Sequence, residues 1–520
     1  MRQAPARLGR AGLAATAVSV ACTIAVGAAG PSLMEPRLPG APAQPPWTLD
    51  LRLGPYLAVG LSAAGLAAGA LGLALTLRAM RVGWTVRPRY VLLAGVIAAL
   101  LAGATGPFGT SDFLSYAAYG RELVTGHNPY LMAPQALARL GDPVARAVQD
   151  WAGTPSVYGA LASGVFGLAS LIGGTSARLT VFVLDMLNAA AFAATGLLLD
   201  RLTRESPQQR LRAAVLWTCN PLLLQVLVAG SHVDGLAAVC GIGGIAVLAP
   251  VIPNGSACST PVLRSLAAGA ILGLGFAVKP TVLLVFGGVA IGVAARREPH
   301  TRSTVAGLVA GFVAAAVADT ALIGRVGVTQ SLRASGMVSV GSPWRVVRTL
   351  LRVTVMSEPA ADDVVRLLAV GLMVGLATAL LRLRSRDQRR SSDLDRAVKS
   401  LGDAWAWAPF ALVLAWLVAW PYVLPWYDTL GWALLPLLPA TGLDWLLLAR
   451  TAALAFGYLP ARTAGITIPA GLRWMEPVVR SALTPAVLAV VAVLLLITAR
   501  RRAGPSRLSR PEDLADANQA

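Results

Sequence analysis

Residues 213–252 read AAVLWTCNPLLLQVLVAGSHVDGLAAVCGIGGIAVLAPVI. Two apolar runs, 213–230 and 233–252, meet at a turn that holds Ser231 and His232, with Asp234 just inside the second run. Each run has the length of a helix spanning ~30 Å of hydrocarbon, and neither alternates in the manner of a half-buried strand. The pattern recurs along all 520 residues, of which 56% are hydrophobic and only 13% charged, against roughly 25% charged in a soluble domain. Runs at 11–29, 54–77, 90–107, 177–199, 213–230, 233–252, 263–278, 281–295, 303–322, 363–383, 402–422, 427–441, 443–460 and 478–499 predict an all-α polytopic integral membrane protein. The expected helix count is about 14 (12–14).

No polar segment between these runs approaches the ~100 residues a nucleotide-binding domain needs, so residues 1–500 are expected to form a single transmembrane domain. Residues 501–520 read as a polar, disordered cytoplasmic tail. The net charge of +19 sits between apolar spans, which argues against a nucleic-acid partner. Cys22, Cys219, Cys240 and Cys258 lack metal-ligand spacing and read as inert thiols. Arg2, Arg7 and Arg10 at one end and Arg500, Arg501 and Arg502 at the other place both termini in the cytoplasm, for a multi-pass protein of a bacterial plasma membrane. Residues 157–173 are apolar as well. Counting them as a crossing would put Arg201, Arg204, Arg210 and Arg212 outside, so they read as a re-entrant or interfacial helix on the outer side. Residues 108–156 and 323–362 are then extracytoplasmic loops and 384–401 a solvated cytoplasmic one.

Charge in or beside hydrocarbon costs about 2.5–3.5 kcal/mol at mid-membrane, so such positions are where function is sought. Asp112 opens the first large outer loop, GTSDFLSYAAYGRELVTGHNPY (109–130), followed by Tyr116, Tyr119, Glu122 and His127. It is either a functional acid or the cap of a helix starting near Phe113. His232 and Asp234 are either part of a site or a solvated turn. Ser231, His232 and Asp234 are too close in sequence to form a catalytic triad. Lys279-Pro280 interrupts the apolar stretch 263–295. The proline breaks the helix, and the lysine either faces an anion or snorkels to headgroups. Arg325, Arg333, Arg345, Arg348 and Arg352 crowd loop 323–362, which predicts an anionic partner or a helix lying on anionic lipid headgroups. Trp426, Tyr427 and Asp428 form an aromatic and acidic patch that an interfacial belt would also explain.

The motifs SDFLSYAAYG (111–120), NPY (128–130), VYGAL (157–161), NPLLLQ (220–225), GSHVDGL (230–236), AVKPT (277–281) and PWYDTLGWALLPL (425–437) occur in that order. In these the chain resembles the actinobacterial polyprenyl-phosphomannose-dependent α-(1→6)-mannosyltransferases, which belong to the GT-C membrane glycosyltransferases. Asn128, Ala160 and Val233 stand where that family usually has Asp, Pro and Asn. The resemblance implies a GT-C-like fold and inverting transfer of mannose from polyprenyl-phosphate-mannose to a glycolipid or oligomannoside acceptor, with no cofactor and no metal. It implies Asp112 as catalytic base and Lys279, Arg345 and Arg348 on the donor phosphate. Tyr116, His127, His232, Asp234, Trp426 and Tyr427 would contact the sugar or acceptor. The alternative is a lipid-linked sugar transporter or flippase, which would use the same outer cavity but usually carries internal repeats.

Overall fold

The computed structural model describes residues 3–249, 261–296, 299–354, 356–390, 393–461 and 466–503. Cys258 and residues 504–520 of the expected tail lie outside them. Among the described residues the chain is helical, without strands. The N-terminal part runs through α1 (Gln3–Ala29), α2 (Pro55–Arg81) and α3 (Pro88–Ala104). Three shorter helices follow, α4 (Asp112–Val124), α5 (Pro134–Arg139) and α6 (Ala160–Gly173). Next come α7 (Ala177–Leu202), α8 (Pro207–Leu216), α9 (Pro221–Leu223) with a π turn at Leu224–Val228, and α10 (Asp234–Leu248). The remainder comprises α11 (Pro261–Phe276), α12 (Val282–Ala294), α13 (Thr301–Ser335), α14 (Pro343–Thr354), α15 (Glu358–Arg390), α16 (Asp393–Ala419), α17 (Thr429–Leu434), α18 (Leu443–Gly457) and α19 (Thr484–Ala503).

Local chemistry sets many of these boundaries. Proline opens α2, α3, α5 and α8, where its missing N–H has no intrahelical partner to lose. Ser176 and Ser206 cap α7 and α8 by accepting from the Leu179 and Gln209 amides. Among the described residues, seven helices are long and apolar enough to cross a membrane, and six shorter apolar helices accompany them. The chain is therefore a polytopic membrane protein. At ~1.5 Å per residue, the 14-residue α6 falls well short of the hydrocarbon thickness.

Several expected spans and loops differ in detail. Residues 427–441 are not one helix. A 3-10 turn at Pro425–Asp428, α17 and a second turn at Leu435–Leu437 make a broken, buried segment, because Pro425 and Pro436 interrupt the ladder and Asp428 is drawn sideways into an ion pair. Run 213–230 breaks at Asn220-Pro221, where the Asn220 side chain accepts from the Leu222 and Leu223 amides. The outer loop expected at 323–362 is largely helical. α13 continues through a kink at Gly324 (φ +66°) to Ser335, and α14 follows. The backbone of the segment expected as a solvated loop at 384–401 is helical to Arg390 and again from Asp393.

Two buried ion-pair systems organise the C-terminal half, and the first ties it to the N-terminal half. Asp444 accepts from Arg212 at 2.9 and 2.7 Å and lies 3.4 Å from Arg81, so α18 is tied to α8 and α2. Arg450, buried within α18, pairs with Asp428. Thr451 Oγ1 donates to the same carboxylate at 2.6 Å, and the Trp432 indole donates to Thr451 at 2.8 Å.

Helix contact depends on small residues, as it does between helices in lipid. α11 and α13 pack closely because Gly269 faces the Leu308 carbonyl and Gly311 faces the Leu266 carbonyl. A Cβ at either glycine would overlap main chain. Gly371 on α15 has open space where its Cβ would be. Gly269→Leu is expected to destabilise the detergent-solubilised protein by about 1–3 kcal/mol through overpacking. Gly371→Leu is expected to leave the melting midpoint near that of the parent. Thermal melts followed by size-exclusion chromatography compare the two.

Candidate active site

The first wall of the site is built around the start of α4. The main chain before it is pinned by the Phe108 amide donating to the Ala229 carbonyl at 2.9 Å and the Gly109 amide donating to the Met34 carbonyl at 2.7 Å. Asp112 is the first residue of α4, and its amide donates to Thr110 Oγ1 at 3.2 Å. Loop 150–154 folds back over this helix start. Ser111 Oγ donates to Asp150 Oδ2 at 2.7 Å, Ser115 Oγ to the Asp150 carbonyl at 3.1 Å, and Tyr119 Oη to the Thr154 carbonyl at 2.9 Å. Trp151 takes a left-handed conformation (φ +64°). Such strain in a non-glycine residue needs surrounding structure to hold it.

The second wall comes from two turns. At Ser231 (φ +52°) the chain reverses and buries the His232 imidazole against Trp426, with ring centroids 3.5 Å apart and planes 15° from parallel. His232 Nδ1 lies 3.8 Å from Asp112 Oδ2, in ion-pair range but too far for a hydrogen bond. The turn between α11 and α12 carries Lys279. Its ammonium donates to Asp234 Oδ1 at 2.6 Å and sits 3.9 Å from the centre of the Tyr427 ring, a cation–π contact. Tyr158 donates to the Tyr116 hydroxyl at 3.3 Å, and Tyr116 stacks on Phe166.

Between the walls lies a cavity of about 750 Å³. Asp112, Tyr116, Tyr158, Lys279, Trp426 and Tyr427 line its polar end, and Leu283, Leu284, Met373, Trp416 and Trp420 line an apolar flank. Asp112 lies outside the membrane-crossing helices. Its carboxyl is pushed up to about 6, chiefly by burial and then by the nearby Asp150 charge. The Trp151 indole N–H that donates to it and the Lys279 ammonium oppose that rise. A carboxylate so placed can take a proton near neutral pH.

Asp112, Tyr116, Tyr119, Lys279, Trp426 and Tyr427, all singled out from sequence, meet in this cavity. His232 and Asp234 stand directly behind it, touching Trp426 and Lys279 respectively. His127 does not reach it; its ring is 3.1 Å from Thr125 Oγ1. Arg345 is exposed on α14, and Arg348 is committed to Asp362 and, at 2.8 Å, to Glu358. Asp428 is turned away toward Arg450. Trp151, Tyr158 and Arg333 line the cavity without having been marked individually by the sequence. Tyr158 carried a signal within VYGAL and Arg333 one as a member of the arginine-rich loop; Trp151 carried none.

A sequence model described as alpha-(1->6)-mannopyranosyltransferase, N-terminal domain, matches residues 10–296. The chain belongs to this family. No curated protein and no solved structure matches it. Membership of the alpha-(1->6)-mannopyranosyltransferase family makes mannosyl transfer from a sugar donor to an acceptor the general chemistry of the chain. The matched stretch contributes Asp112, Tyr116, Tyr158, His232, Asp234 and Lys279. Arg333, Trp426 and Tyr427 come from the part of the chain that follows it.

Lys279 and Asp234 are both nearly buried, so removing one leaves the other charged and uncompensated. Lys279→Met is expected to destabilise the protein by about 3–5 kcal/mol. The double variant Lys279→Met/Asp234→Asn is expected to recover most of that loss. A double-mutant cycle of melting midpoints measures the coupling, and additive effects would show that the pair does not couple.

Proposed function

We propose that the chain moves mannose from polyprenyl-phosphate-mannose to a mannoside or lipoglycan acceptor, with inversion at the anomeric carbon, on the extracytoplasmic side of the membrane. The observation that carries this reading is a single activated carboxylate, Asp112, at the polar end of a cavity whose other flank is apolar. The apolar flank suits a lipid-linked donor. The excess of arginine and lysine on the opposite loops supports the outward orientation.

In the reaction the acceptor hydroxyl oxygen attacks C1 of the mannose while the bond from C1 to the phosphate oxygen breaks. The hydroxyl proton passes to Asp112, and the phosphate leaves as polyprenyl monophosphate. Single displacement converts a β-linked donor into an α-mannoside, the alcohol taking the part that water plays in inverting hydrolysis. One base is needed on the attacking face, and Asp112 provides it. His232, 3.8 Å away and fixed by its stack on Trp426, forms the wall beside the carboxylate. Tyr116 and Trp426 offer a hydroxyl and a ring face to the sugar.

Asp112→Asn is expected to lower kcat by about 10²–10⁴-fold while leaving the melting midpoint intact. The assay is transfer of labelled mannose from polyprenyl-phosphate-mannose to short α-mannosides. Near-normal turnover by this variant would remove Asp112 from the role of base. Protonation removes the base, so kcat/KM of the parent is expected to fall as pH drops through about 6. A profile flat from pH 5 to 7 would contradict that role (~90% of a group titrating near 6 is protonated at pH 5).

A further inference from the structure

A second cavity, of about 520 Å³, adjoins the first and shares Trp151, Arg333, Met337, Tyr422 and Leu424 with it as common wall. Its lining is of a different kind. Arg333, Arg348, Arg366 and Arg480 face it, against Asp362 as the single carboxylate in the lining. The cavity is a built feature of the fold. The Ser339 amide donates to the Pro421 carbonyl at 3.2 Å, Ser339 Oγ donates to the Val423 carbonyl at 2.9 Å, and the Trp420 indole donates to the Ser335 carbonyl at 3.2 Å. These bonds hold segment 335–339 against 420–423.

The two cavities differ in charge balance: Asp112, Lys279 and Arg333 are the charged residues in the lining of the first, four arginines and Asp362 those in the second. In the first, Lys279 is matched by Asp234, which leaves Asp112 as an uncompensated carboxylate with Asp150 beside it. A phosphate placed there would meet like charge. In the second, Arg348 is paired with Asp362 and Glu358, and Arg366 lies 3.0 Å from Asp363. The Arg480 guanidinium is 5.2 Å from the centre of the Tyr458 ring. Arg333 has no carboxylate partner among the described residues. It sits in the last turn of α13, where the helix dipole favours a cation, and it faces both cavities at their junction.

We propose that the arginine cavity is a phosphate-ester site and that Arg333, rather than Lys279, is the residue that first engages the phosphate. Resting on the reading above, this puts the sugar and the acceptor hydroxyl in the carboxylate cavity and the leaving phosphate at the junction, where bidentate N–H···O bonds stabilise its charge. Membrane phospholipid presents the same chemistry, and the experiment separates the two sources.

The full chain, purified in neutral detergent, is dialysed to equilibrium with radiolabelled polyprenyl monophosphate. Uncharged polyprenol, inorganic phosphate and phosphatidylglycerol serve as competitors. Expected is saturable binding that polyprenol competes at least ~10-fold less well than unlabelled polyprenyl monophosphate. Arg333→Ala and Arg366→Ala are each expected to weaken binding ~10-fold, the loss of a charge-assisted bond. Arg333→Lys is expected to retain part of the affinity, and Arg473→Ala, an exposed arginine lining neither cavity, all of it. Melting midpoints exclude misfolded variants from the comparison. Competition by phosphatidylglycerol equal to that by unlabelled polyprenyl monophosphate supports a phosphate-ester site whose ligand is bulk lipid. Equal binding of polyprenol and its phosphate overturns the proposal, as does parental affinity in both alanine variants. Binding does not depend on turnover. A chain that binds in this pattern yet transfers no mannose contradicts the transfer reading and leaves the site standing.

Discussion

An ammonium group surrounded by apolar helices is tolerable only when a counter-charge meets it, and the contact between Lys279 and Asp234 at 2.6 Å meets that demand. The pair does more than neutralise charge. It joins the start of α10 to the turn between α11 and α12, two points 45 residues apart in the chain. Once the ammonium is fixed, Tyr427 is drawn over it by the cation–π contact, and with Tyr427 comes the broken segment 425–437. Trp426, next in line, closes on His232 two residues before Asp234. The aromatic and histidine parts of the site thus hang on one ion pair, and Asp112 is brought to them by the pinned main chain at Phe108 and Gly109.

Segment 425–437 needs a second anchor, because its two prolines prevent a continuous helix from satisfying its own backbone. Asp428 supplies the anchor by turning away from the cavity to Arg450, with Thr451 and Trp432 completing the bonds. The carboxylate that looked like part of an aromatic and acidic site is therefore structural. Its burial fixes the register in which Trp426 and Tyr427 face inward. Proximity in sequence to functional residues says nothing about which way a side chain points at a 3-10 turn.

Much of the architecture was legible because hydropathy and length constrain helices in lipid so strongly. The apolar runs, the break at Lys279-Pro280 and the polar turn at His232 are all present as structure. Run 427–441 misled because an apolar stretch buried in protein and one facing lipid have the same composition. Arg450 lies inside the apolar run 443–460, but its partner Asp428 is reached only through tertiary packing. Asp112, Tyr116, Trp426 and Tyr427 could be marked because polar or aromatic groups stood at helix ends. Trp151 could not, since nothing in its residue type announces a left-handed backbone. Arg333 was one of five arginines in a single loop. Its place on a shared wall separates it from Arg345 and Arg348, and the absence of a carboxylate partner among the described residues separates it from Arg348; neither is a property of sequence.

On the proposed reading, the contrast between the cavities follows from what mannosyl transfer demands. A base that must accept a proton near neutral pH is best kept apart from strong cations, which would hold its carboxyl low. A leaving phosphate needs those cations. One cavity cannot satisfy both without lowering the base or repelling the anion. Asp112 stands in one cavity and Arg348, Arg366 and Arg480 in the other, with Trp151 and Tyr422 on the shared wall and Arg333 at the junction, while burial first and Asp150 second raise Asp112 to about 6. Trp151 joins the two cavities physically: its indole N–H is on Asp112, the residue lies on the shared wall, and these contacts help to hold its left-handed backbone.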